Sequence, residues 1–239
     1  MPYRIGCSGW VYKHWRGSFY PAGLRQADWF RHYAGVFDTV EINNSFYRTP
    51  TESMFQGWRE QAPEGFLYAV KVNRSITQFY KLGPASYPLF EEFASRAEKL
   101  AGHLGPLLLQ LPPSLGVDTD RLDGFLALPA ARRIRLAVEF RRKDWFTEEV
   151  YAVLRARGAA LAITDFQELP VVWEATADWS YVRFHGTSGR YFGSYGSQEL
   201  DSWAERIAGL AREGYIYFNN DAETAAPRDA MALRERLSR

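Results

Sequence analysis

Short runs of apolar and β-branched residues recur eight times along the chain, and each run stops at polar or glycine residues. The second run is the clearest: Thr39, Glu41 and Asn43 alternate with Val40 and Ile42, so one face is polar and the other apolar. A strand of this kind packs against helices on one side and faces a polar cavity on the other. The predicted strands begin near Tyr3, Thr39, Phe66, Pro106, Ile134, Ala160, Ser180 and Tyr215.

Segments with helix start and stop signals separate these strands. Gly158 and Gly214 close two of them, as expected at the carboxyl ends of helices. The sixth interval, 165–180, has no convincing amphipathic pattern and contains a proline at 170, so a loop or a short turn of helix is predicted there. The predicted helices span residues 24–37, 51–62, 87–104, 118–128, 147–157, 197–212 and 227–237.

Eight strands that alternate with helices predict a parallel sheet, and eight units of about 30 residues most often close into a (β/α)8 TIM barrel. An open doubly wound sheet is the alternative. It loses weight because Gly6-Cys7-Ser8-Gly9-Trp10 follows the first strand, where a nucleotide-binding fold carries G-x-G-x-x-G. No linker or low-complexity segment divides the chain, so we expect a single domain over residues 1–239.

The amino-acid composition limits the classes of binding partner and the location that can be expected. The 29 basic and 28 acidic residues leave a formal charge of +1, which gives no overall attraction to nucleic acid or to an anionic membrane, so a nucleic-acid role must be local. We find neither a leader-like segment nor an apolar run long enough to span a membrane. The single cysteine, Cys7, excludes an internal disulfide and fits a reducing cytoplasm, where we expect the protein to reside.

Polar side chains end every predicted strand, and a barrel gathers such ends at one mouth, where barrel enzymes work. Glu139 and Arg141 share one face of the fifth strand, and Arg183 and His185 share one face of the seventh. Buried charges need partners or a ligand, so these groups form either an ion-pair network or a functional site. We favour a site. The strand-end residues are Ser8, Glu41, Asn43, Lys71, Asn73, Gln110, Glu139, Arg141, Asp165, Arg183, His185, Asn219, Asn220 and Asp221.

The loops after these strands are rich in aromatic and basic residues, which can stack flat ligands or sugars and hold anionic groups. Trp10 and Tyr47 are candidate binding residues of the first and second loops. After the seventh strand, the segment His185-Gly186-Thr187-Ser188-Gly189 occupies a position where many barrels hold a phosphate, with Arg183 and Arg190 nearby. The loops therefore predict a pocket for an anionic ligand.

Several ordered segments resemble the DUF72 (YecE-like) family over nearly the whole chain. The segments are Gly6-Cys7-Ser8-Gly9-Trp10, Phe19-Tyr20-Pro21, Val40-Glu41-Ile42-Asn43-Asn44-Ser45-Phe46-Tyr47, Leu109-Gln110-Leu111-Pro112-Pro113, Val138-Glu139-Phe140-Arg141, Tyr181-Val182-Arg183-Phe184-His185-Gly186 and Tyr217-Phe218-Asn219-Asn220. The resemblance implies a TIM barrel and leaves the activity open. Gln78 stands where members of that family often have histidine, so the resemblance does not supply a proton-transfer histidine in the third loop.

Three functions agree with these residues. The first is an enzyme that performs acid–base, hydrolase-type chemistry on a sugar-like or phosphorylated anionic ligand at the mouth. Glu41 and Glu139 would be the acid and base, His185 and Asp165 are further catalytic candidates, and ion pairs that neutralise both glutamates would defeat this scheme. The predicted ligand-binding residues are Ser8, Trp10, Asn43, Tyr47, Lys71, Gln110, Arg141, Arg183, Gly186 and Asn219.

The second function is metal-dependent phosphodiester cleavage or isomerisation, in which Glu41, Glu139, Asp165 and His185 bind a divalent metal. No spacing motif such as H-E-x-x-H supports it, so no cofactor is predicted outright. The third is a non-catalytic protein that binds a nucleic-acid segment or a metabolite in the same cleft.

Overall fold

Eight parallel strands form a nearly closed barrel in the computed structural model, which describes residues 2–166, 168–189 and 191–238. Each strand pairs with its neighbour in sequence from the second to the eighth, and the eighth strand pairs with the first. This confirms the predicted (β/α)8 fold. The strands are β1 (Tyr3–Cys7), β2 (Thr39–Ile42), β3 (Leu67–Lys71), β4 (Leu104–Gln110), β5 (Leu136–Glu139), β6 (Ala160–Thr164), β7 (Ser180–Phe184) and β8 (Gly214–Phe218).

Helices occupy the outside of the barrel, and several begin at side-chain caps. Thr51 and Asp118 precede the helices Glu52–Gln61 and Thr119–Leu126 and accept the N–H groups of Met54 and Arg121. Gly158 adopts a left-handed conformation at the end of the helix Glu148–Arg157. The helices are α1 (Trp29–Val36), α2 (Glu52–Gln61), α3 (Tyr87–Ala97), α4 (Thr119–Leu126), α5 (Pro129–Arg133), α6 (Glu148–Arg157), α7 (Ser197–Leu210) and α8 (Ala225–Leu237).

The helices differ from the sequence-based prediction most clearly in α1, α3 and α5. α1 begins five residues later than predicted because a 3-10 turn, Gln26–Asp28, precedes it. α3 ends at Ala97, and a 3-10 segment follows in which Ala101 has a φ of 50°, outside the helical region. The short α5, which has a proline in its first turn, was not predicted. Between Thr164 and Ser180 the described residues form no helix, as predicted for the sixth interval.

Two clusters of buried apolar residues pack against the barrel strands. The larger core lies between the sheet and the helices, whereas a smaller cluster fills the barrel interior. Its members Ala69, Leu108, Ala137, Tyr181 and Tyr217 each lie two residues before a polar strand end. Because strand side chains alternate with a period of two, these residues form a floor directly beneath the polar ends.

The barrel closes between β1 and β2 through side chains. The Tyr33 hydroxyl on α1 accepts the Cys7 N–H at 2.8 Å and donates to the Thr39 carbonyl at 2.9 Å, so it bridges the two strands. Gly6 is required here because a Cβ atom would lie 2.2 Å from the Thr39 carbonyl oxygen. The closure brings Ser8 beside Glu41, where its hydroxyl donates to the carboxylate at 2.7 Å.

No helix within the described ranges has both the length and the apolar character needed to cross a membrane.

Candidate functional site

A network of buried charged side chains lies at the carboxyl ends of the strands, and Arg183 is at its centre. Arg183 donates from Nε and Nη2 to the two carboxylate oxygens of Glu41, at 3.0 and 2.8 Å, and from Nη1 to Glu139 Oε2 at 2.5 Å. Arg183, Glu41 and Glu139 are almost completely inaccessible to solvent. The single positive charge of Arg183 is therefore shared between the two carboxylates that the sequence suggests as acid and base.

Glu41 accepts hydrogen bonds from two further side chains. Tyr181 donates to Oε2 at 2.6 Å, and Ser8 donates to Oε1 at 2.7 Å. Burial alone would raise the pKa of Glu41, but the positive charge of Arg183 and these hydrogen bonds outweigh burial, so the pKa lies below its ordinary value. Glu41 is therefore an ionised carboxylate that already accepts four hydrogen bonds.

Glu139 is held in the same way on the opposite side of Arg183. Its Oε1 accepts from Gln110 Nε2 at 2.8 Å and forms an ion pair with Arg141. Burial opposes ionisation, but the charges of Arg141 and Arg183 hold the pKa of Glu139 well below its ordinary value. The negative charges of two carboxylates and the positive charges of two guanidinium groups thus cancel within this network.

His185 is a neutral imidazole with a defined tautomer. Its Nε2 faces Arg141 Nη2 at 3.1 Å and Arg183 Nη1 at 3.3 Å, and guanidinium nitrogens can only donate, so Nε2 is the acceptor. The proton is then on Nδ1, which lies 2.9 Å from Thr164 Oγ1 and 3.3 Å from Asp165 Oδ1. Burial lowers the pKa of His185, which the Asp165 carboxylate opposes.

Asp165 is anchored beside the seventh strand. Its carboxylate accepts the His185 backbone N–H at 2.7 Å and the hydroxyl of Tyr195, and its side chain is 13% exposed. The inward-facing residue at the end of β6 is its neighbour Thr164, which continues the alternation of Ala160 and Ala162. Asp165 thus orients His185 from the rim of the barrel.

Lys71 differs from the other charged groups of the mouth. Its Nζ lies 4.2 Å from the centroid of the Phe46 ring, and within the described ranges it forms no ion pair with a carboxylate. Burial and the positive charges of Arg183 and Arg141 lower the pKa of Lys71 to about 7, against the opposing effect of Glu139 and Glu41. The surroundings of Lys71 therefore favour the neutral amine more strongly than the surroundings of an exposed lysine do.

Arg141 lies at the solvent side of the network. Its Cζ atom is 3.8 Å from the centroid of the Phe166 ring, so the guanidinium stacks on an aromatic face while it contacts Glu139 and His185. Its side chain is 9% exposed, as is Lys71, whereas Arg183 is only 1% exposed. A ligand that enters the mouth would meet Arg141 and Lys71 before the carboxylates.

The remaining predicted residues lie around this network. Asn43 donates to the Ser8 carbonyl at 3.3 Å, and its buried Oδ1 has no hydrogen-bond partner among the described residues. Asn219, at the end of β8, donates its N–H to the Phe184 carbonyl. Tyr47 is 68% exposed, with the Arg74 guanidinium 5.6 Å from its ring.

Trp10 lies to one side of the charged network, in a cavity between the β1 loop and α2. The cavity has a volume of about 360 Å³ and is lined by Ser8, Trp10, Asn43, Met54 and Trp58 among others. Trp10 contacts Trp58 edge-to-face at 6.5 Å between centroids. None of the charged strand-end residues lines this cavity, so Trp10 contributes to a neighbouring pocket.

Two backbone amides of the loop after β7, which the sequence suggests for phosphate binding, already donate hydrogen bonds within the protein. Gly186 N–H donates to the Tyr195 hydroxyl at 2.7 Å, and Ser188 N–H donates to the Phe192 carbonyl at 3.2 Å. Gly186 has a φ of 102°, and a Cβ atom there would lie 2.0 Å from the Phe192 carbonyl oxygen. Gly186 therefore serves the fold of the loop. Arg190, the other residue predicted near a phosphate, lies outside the described residues.

The sequence did not predict the contacts of four side chains that hold the site: Tyr181, Thr164, Phe46 and Tyr195. Tyr181 could have been found, because it lies two residues before Arg183 on the same face of β7. Thr164 could have been found from the parity of β6. Phe46 and Tyr195 belong to the aromatic loops predicted to line the pocket, but their contacts with Lys71 and Asp165 depend on the course of those loops, which the sequence does not define.

The proposed metal ligands do not form a cluster. Among residues 2–166, 168–189 and 191–238, no group of three or more His, Cys, Asp or Glu side chains is arranged to hold a metal ion. Arg183 lies between Glu41 and Glu139, and the acceptor nitrogen of His185 faces two arginines. These donors therefore do not fit a metal site in this arrangement.

Comparison with known proteins places the chain in a family. The model of the family described as "Protein of unknown function DUF72" matches residues 4–239. The UPF0759 protein YunF of Bacillus subtilis (strain 168) is 25% identical, over 98% of this chain and 94% of its own length.

Solved structures of the family agree with this match. A DUF72 family protein from Thermotoga maritima MSB8 is 28% identical, covers the whole of both chains and superposes with a TM-score of 0.87. Another from Enterococcus faecalis V583 is 18% identical, covers 99% of this chain and 96% of its own, and has a TM-score of 0.80, which shows the shared fold. The chain with this buried arginine–glutamate network belongs to the DUF72 family of proteins of unknown function.

Proposed function

We propose that this protein is an enzyme that binds a small sugar-like or phosphorylated anion at the carboxyl-terminal mouth of the barrel and transfers protons on it, with Lys71 as the acid–base group. The observation that carries this proposal is the Lys71 amine, which is buried among paired charges without an ion-pair partner in the described part of the chain. A general acid or base works best when its pKa lies near the operating pH, which is the case for Lys71.

This proposal changes the roles of the two glutamates. A hydrolase scheme needs one carboxyl group that is protonated near neutral pH, and the pKa values of both Glu41 and Glu139 lie below their ordinary value. Both carboxylates also share Arg183 as an ion-pair partner. We therefore assign to Glu41 and Glu139 the role of positioning Arg183 and Arg141, and proton transfer to Lys71.

The distribution of charge supports an anionic ligand. Segments 8–28, 43–51, 72–86, 111–118 and 140–147, which join the first five strands to the helices after them, contain nine Lys and Arg against three Asp and Glu. On the other side of the mouth, Asp165 and Glu168 follow the sixth strand, and segment 219–224 after the eighth strand contains two acidic residues and no Lys or Arg. The positive side surrounds Lys71 and Arg141, which would attract and orient an anion.

Binding and chemistry can be tested separately on one panel of compounds. Calorimetry with glucose 6-phosphate, fructose 6-phosphate, inorganic phosphate and glucose would measure binding, and mass spectrometry after incubation in D₂O would detect exchange of carbon-bound hydrogen. We expect a phosphorylated compound to bind the wild type, Arg141→Gln to weaken binding at least tenfold, and Lys71→Met to abolish exchange.

Arg142→Gln is the matched control, because Arg142 is adjacent in sequence but exposed and paired with Asp144. It should bind and exchange like the wild type. Equal weakening by Arg141→Gln and Arg142→Gln would contradict the site, and exchange that survives in Lys71→Met would contradict the role of Lys71.

The second candidate is a binding protein without catalysis, which the complete pairing of Glu41 and Glu139 favours. It predicts binding in the same panel with neither exchange nor hydrolysis. The free, buried thiol of Cys7 agrees with the reducing cytoplasm that we propose as the location for either function.

A further inference from the structure

Lysine is rare in this chain, and one of its lysines is buried. The sequence contains five lysines among 29 basic residues. Lys13 and Lys143 are exposed, and Lys81 and Lys99 are partly exposed, whereas Lys71 is buried. Arginine cannot lose its proton in a protein, so Lys71 is the only basic group of the charged network that can become a neutral amine.

The surroundings of Lys71 favour that neutral amine. Burial and the charges of Arg183 and Arg141 favour the neutral form, whereas the charges of Glu139 and Glu41 oppose it. The Phe46 ring, whose centroid lies 4.2 Å from Nζ, keeps water from the amine but also attracts the ammonium ion weakly. Both glutamates are already paired with arginine, which limits their support for an ammonium ion. Lysines in apolar or cationic surroundings of this kind are nucleophiles in enzymes that act on carbonyl compounds.

We propose that Lys71 attacks the carbonyl carbon of an aldehyde or ketone that carries an anionic group, and forms an imine with it. The proposal rests on the proposed function, because it takes the same mouth and the same anionic ligand. It goes beyond that function in naming a covalent intermediate and a substrate class, the open-chain sugar phosphates and related anionic carbonyl compounds.

The covalent step balances without an added oxidant or reductant. The amine lone pair forms the N–C bond while the carbonyl π pair moves to oxygen, and transfer of one amine proton to that oxygen gives a neutral carbinolamine. A second proton, from solvent, lets the C–O bond break and water leave. The products are a protonated imine on Lys71 and one molecule of water.

The charges of the mouth also explain why the substrate would be anionic. A protonated imine restores the positive charge that Arg183 and Arg141 disfavour at this position. An anionic group of the substrate against Arg141, which is stacked on Phe166 and reaches solvent, would compensate that charge. The protonated imine would then withdraw electrons and acidify the adjacent C–H bond, which links the covalent step to proton transfer.

Borohydride trapping tests this inference directly. Wild type, Lys71→Arg and Lys81→Arg would each be incubated at neutral pH with dihydroxyacetone phosphate, glyceraldehyde 3-phosphate or uncharged dihydroxyacetone, and then reduced. Intact mass and peptide mapping would locate the product. We expect one adduct per wild-type chain on Lys71, at least tenfold more with a phosphorylated probe than with dihydroxyacetone, none on residue 71 of Lys71→Arg and an undiminished adduct in Lys81→Arg.

Calorimetry with the same phosphorylated probes separates this inference from the proposed function. Binding without an adduct on Lys71, or labelling spread equally over the five lysines, would overturn the imine and leave the anion site in place. Absence of both binding and adduct would overturn the anion site and the imine with it. Unfolding curves of the two arginine variants would exclude misfolding as the cause of a lost adduct.

Discussion

Arg183 donates two hydrogen bonds to the carboxylate of Glu41, from Nε to Oε2 over 3.0 Å and from Nη2 to Oε1 over 2.8 Å. This two-pronged contact joins β7 to β2 across the barrel interior. The third prong of the same guanidinium reaches Glu139 on β5. The site thus depends on one side chain that links three strands, and loss of that side chain leaves two buried carboxylates without their shared partner.

Replacement of Arg183 by methionine should destabilise the protein by about 3–5 kcal/mol at neutral pH, because the buried Glu41 would lose its guanidinium partner and Glu139 would keep only Arg141. Urea denaturation of wild type and Arg183→Met would measure this difference. The deficit should shrink as the pH falls, since the abandoned carboxylates can take up protons. Arg142→Gln provides the control and should change stability by less than about 1 kcal/mol. A deficit for Arg183→Met that is independent of pH would contradict the ion-pair account.

Acid should destabilise the wild type through the same groups. The folded-state pKa values of Glu41 and Glu139 lie below the ordinary value, so their contribution is fully present above the unfolded value of about 4.3 and is lost as pH falls through the folded values. The free energy of unfolding should therefore decline from about pH 5 downward. Glu139→Gln should decline less steeply over that range. Parallel curves for the two proteins would show that Glu139 does not contribute.

Loss of the Tyr33 hydroxyl should weaken the closure of the barrel. Tyr33→Phe removes the acceptor of the Cys7 N–H and a donor to the Thr39 carbonyl, in a buried seam, so we expect a loss of about 1–3 kcal/mol. Chemical denaturation would measure it. Tyr151→Phe, on α6 at the partly exposed surface, is the matched control and should be nearly neutral. Similar small effects for both variants would argue against the bridge.

Substitutions at Phe46 should move the pKa of Lys71 in opposite directions. Phe46→Ala admits water to the amine and should raise that pKa, because burial is the largest cause of its depression. Phe46→Leu keeps an apolar cover but removes the attraction of the ring for the ammonium ion, so it should lower the pKa slightly. The pH dependence of Lys71 acylation would report both values. A shift in the same direction for both variants would contradict this account of the ring.

The alternation of side chains allowed the sequence to predict the eight-stranded barrel and the residues at the strand ends, because a period of two defines which residues face inward. It could not predict how the charges pair. Glu41 and Glu139 lie on strands separated by two others in the sheet, and only the barrel geometry brings both to Arg183. A scheme in which the two glutamates act as acid and base needs free carboxylates, and these ion pairs remove that freedom.

The contacts of Tyr33 and Phe46 could not be predicted from the sequence, for different reasons. Tyr33 has the pattern of a core aromatic on α1, and its role in closing β1 against β2 depends on the position of its hydroxyl. The Phe46 contact with Lys71 comes from a 3-10 turn after β2. By contrast, the distinction between Thr164 and Asp165 was available in the parity of β6, since Ala160, Ala162 and Thr164 share the inner face.

Titration of Lys71 shows whether its amine loses its proton near physiological pH, as both proton transfer and imine formation require. Wild-type protein would be treated with a trace of acetic anhydride at a series of pH values, and the acylation of each lysine would be quantified by peptide mapping, with the other four lysines as internal references for reagent. We predict a midpoint for Lys71 at about 7. A midpoint near the ordinary lysine value of about 10.4 would show that Lys71 stays charged at neutral pH and serves neither as a base nor as a nucleophile.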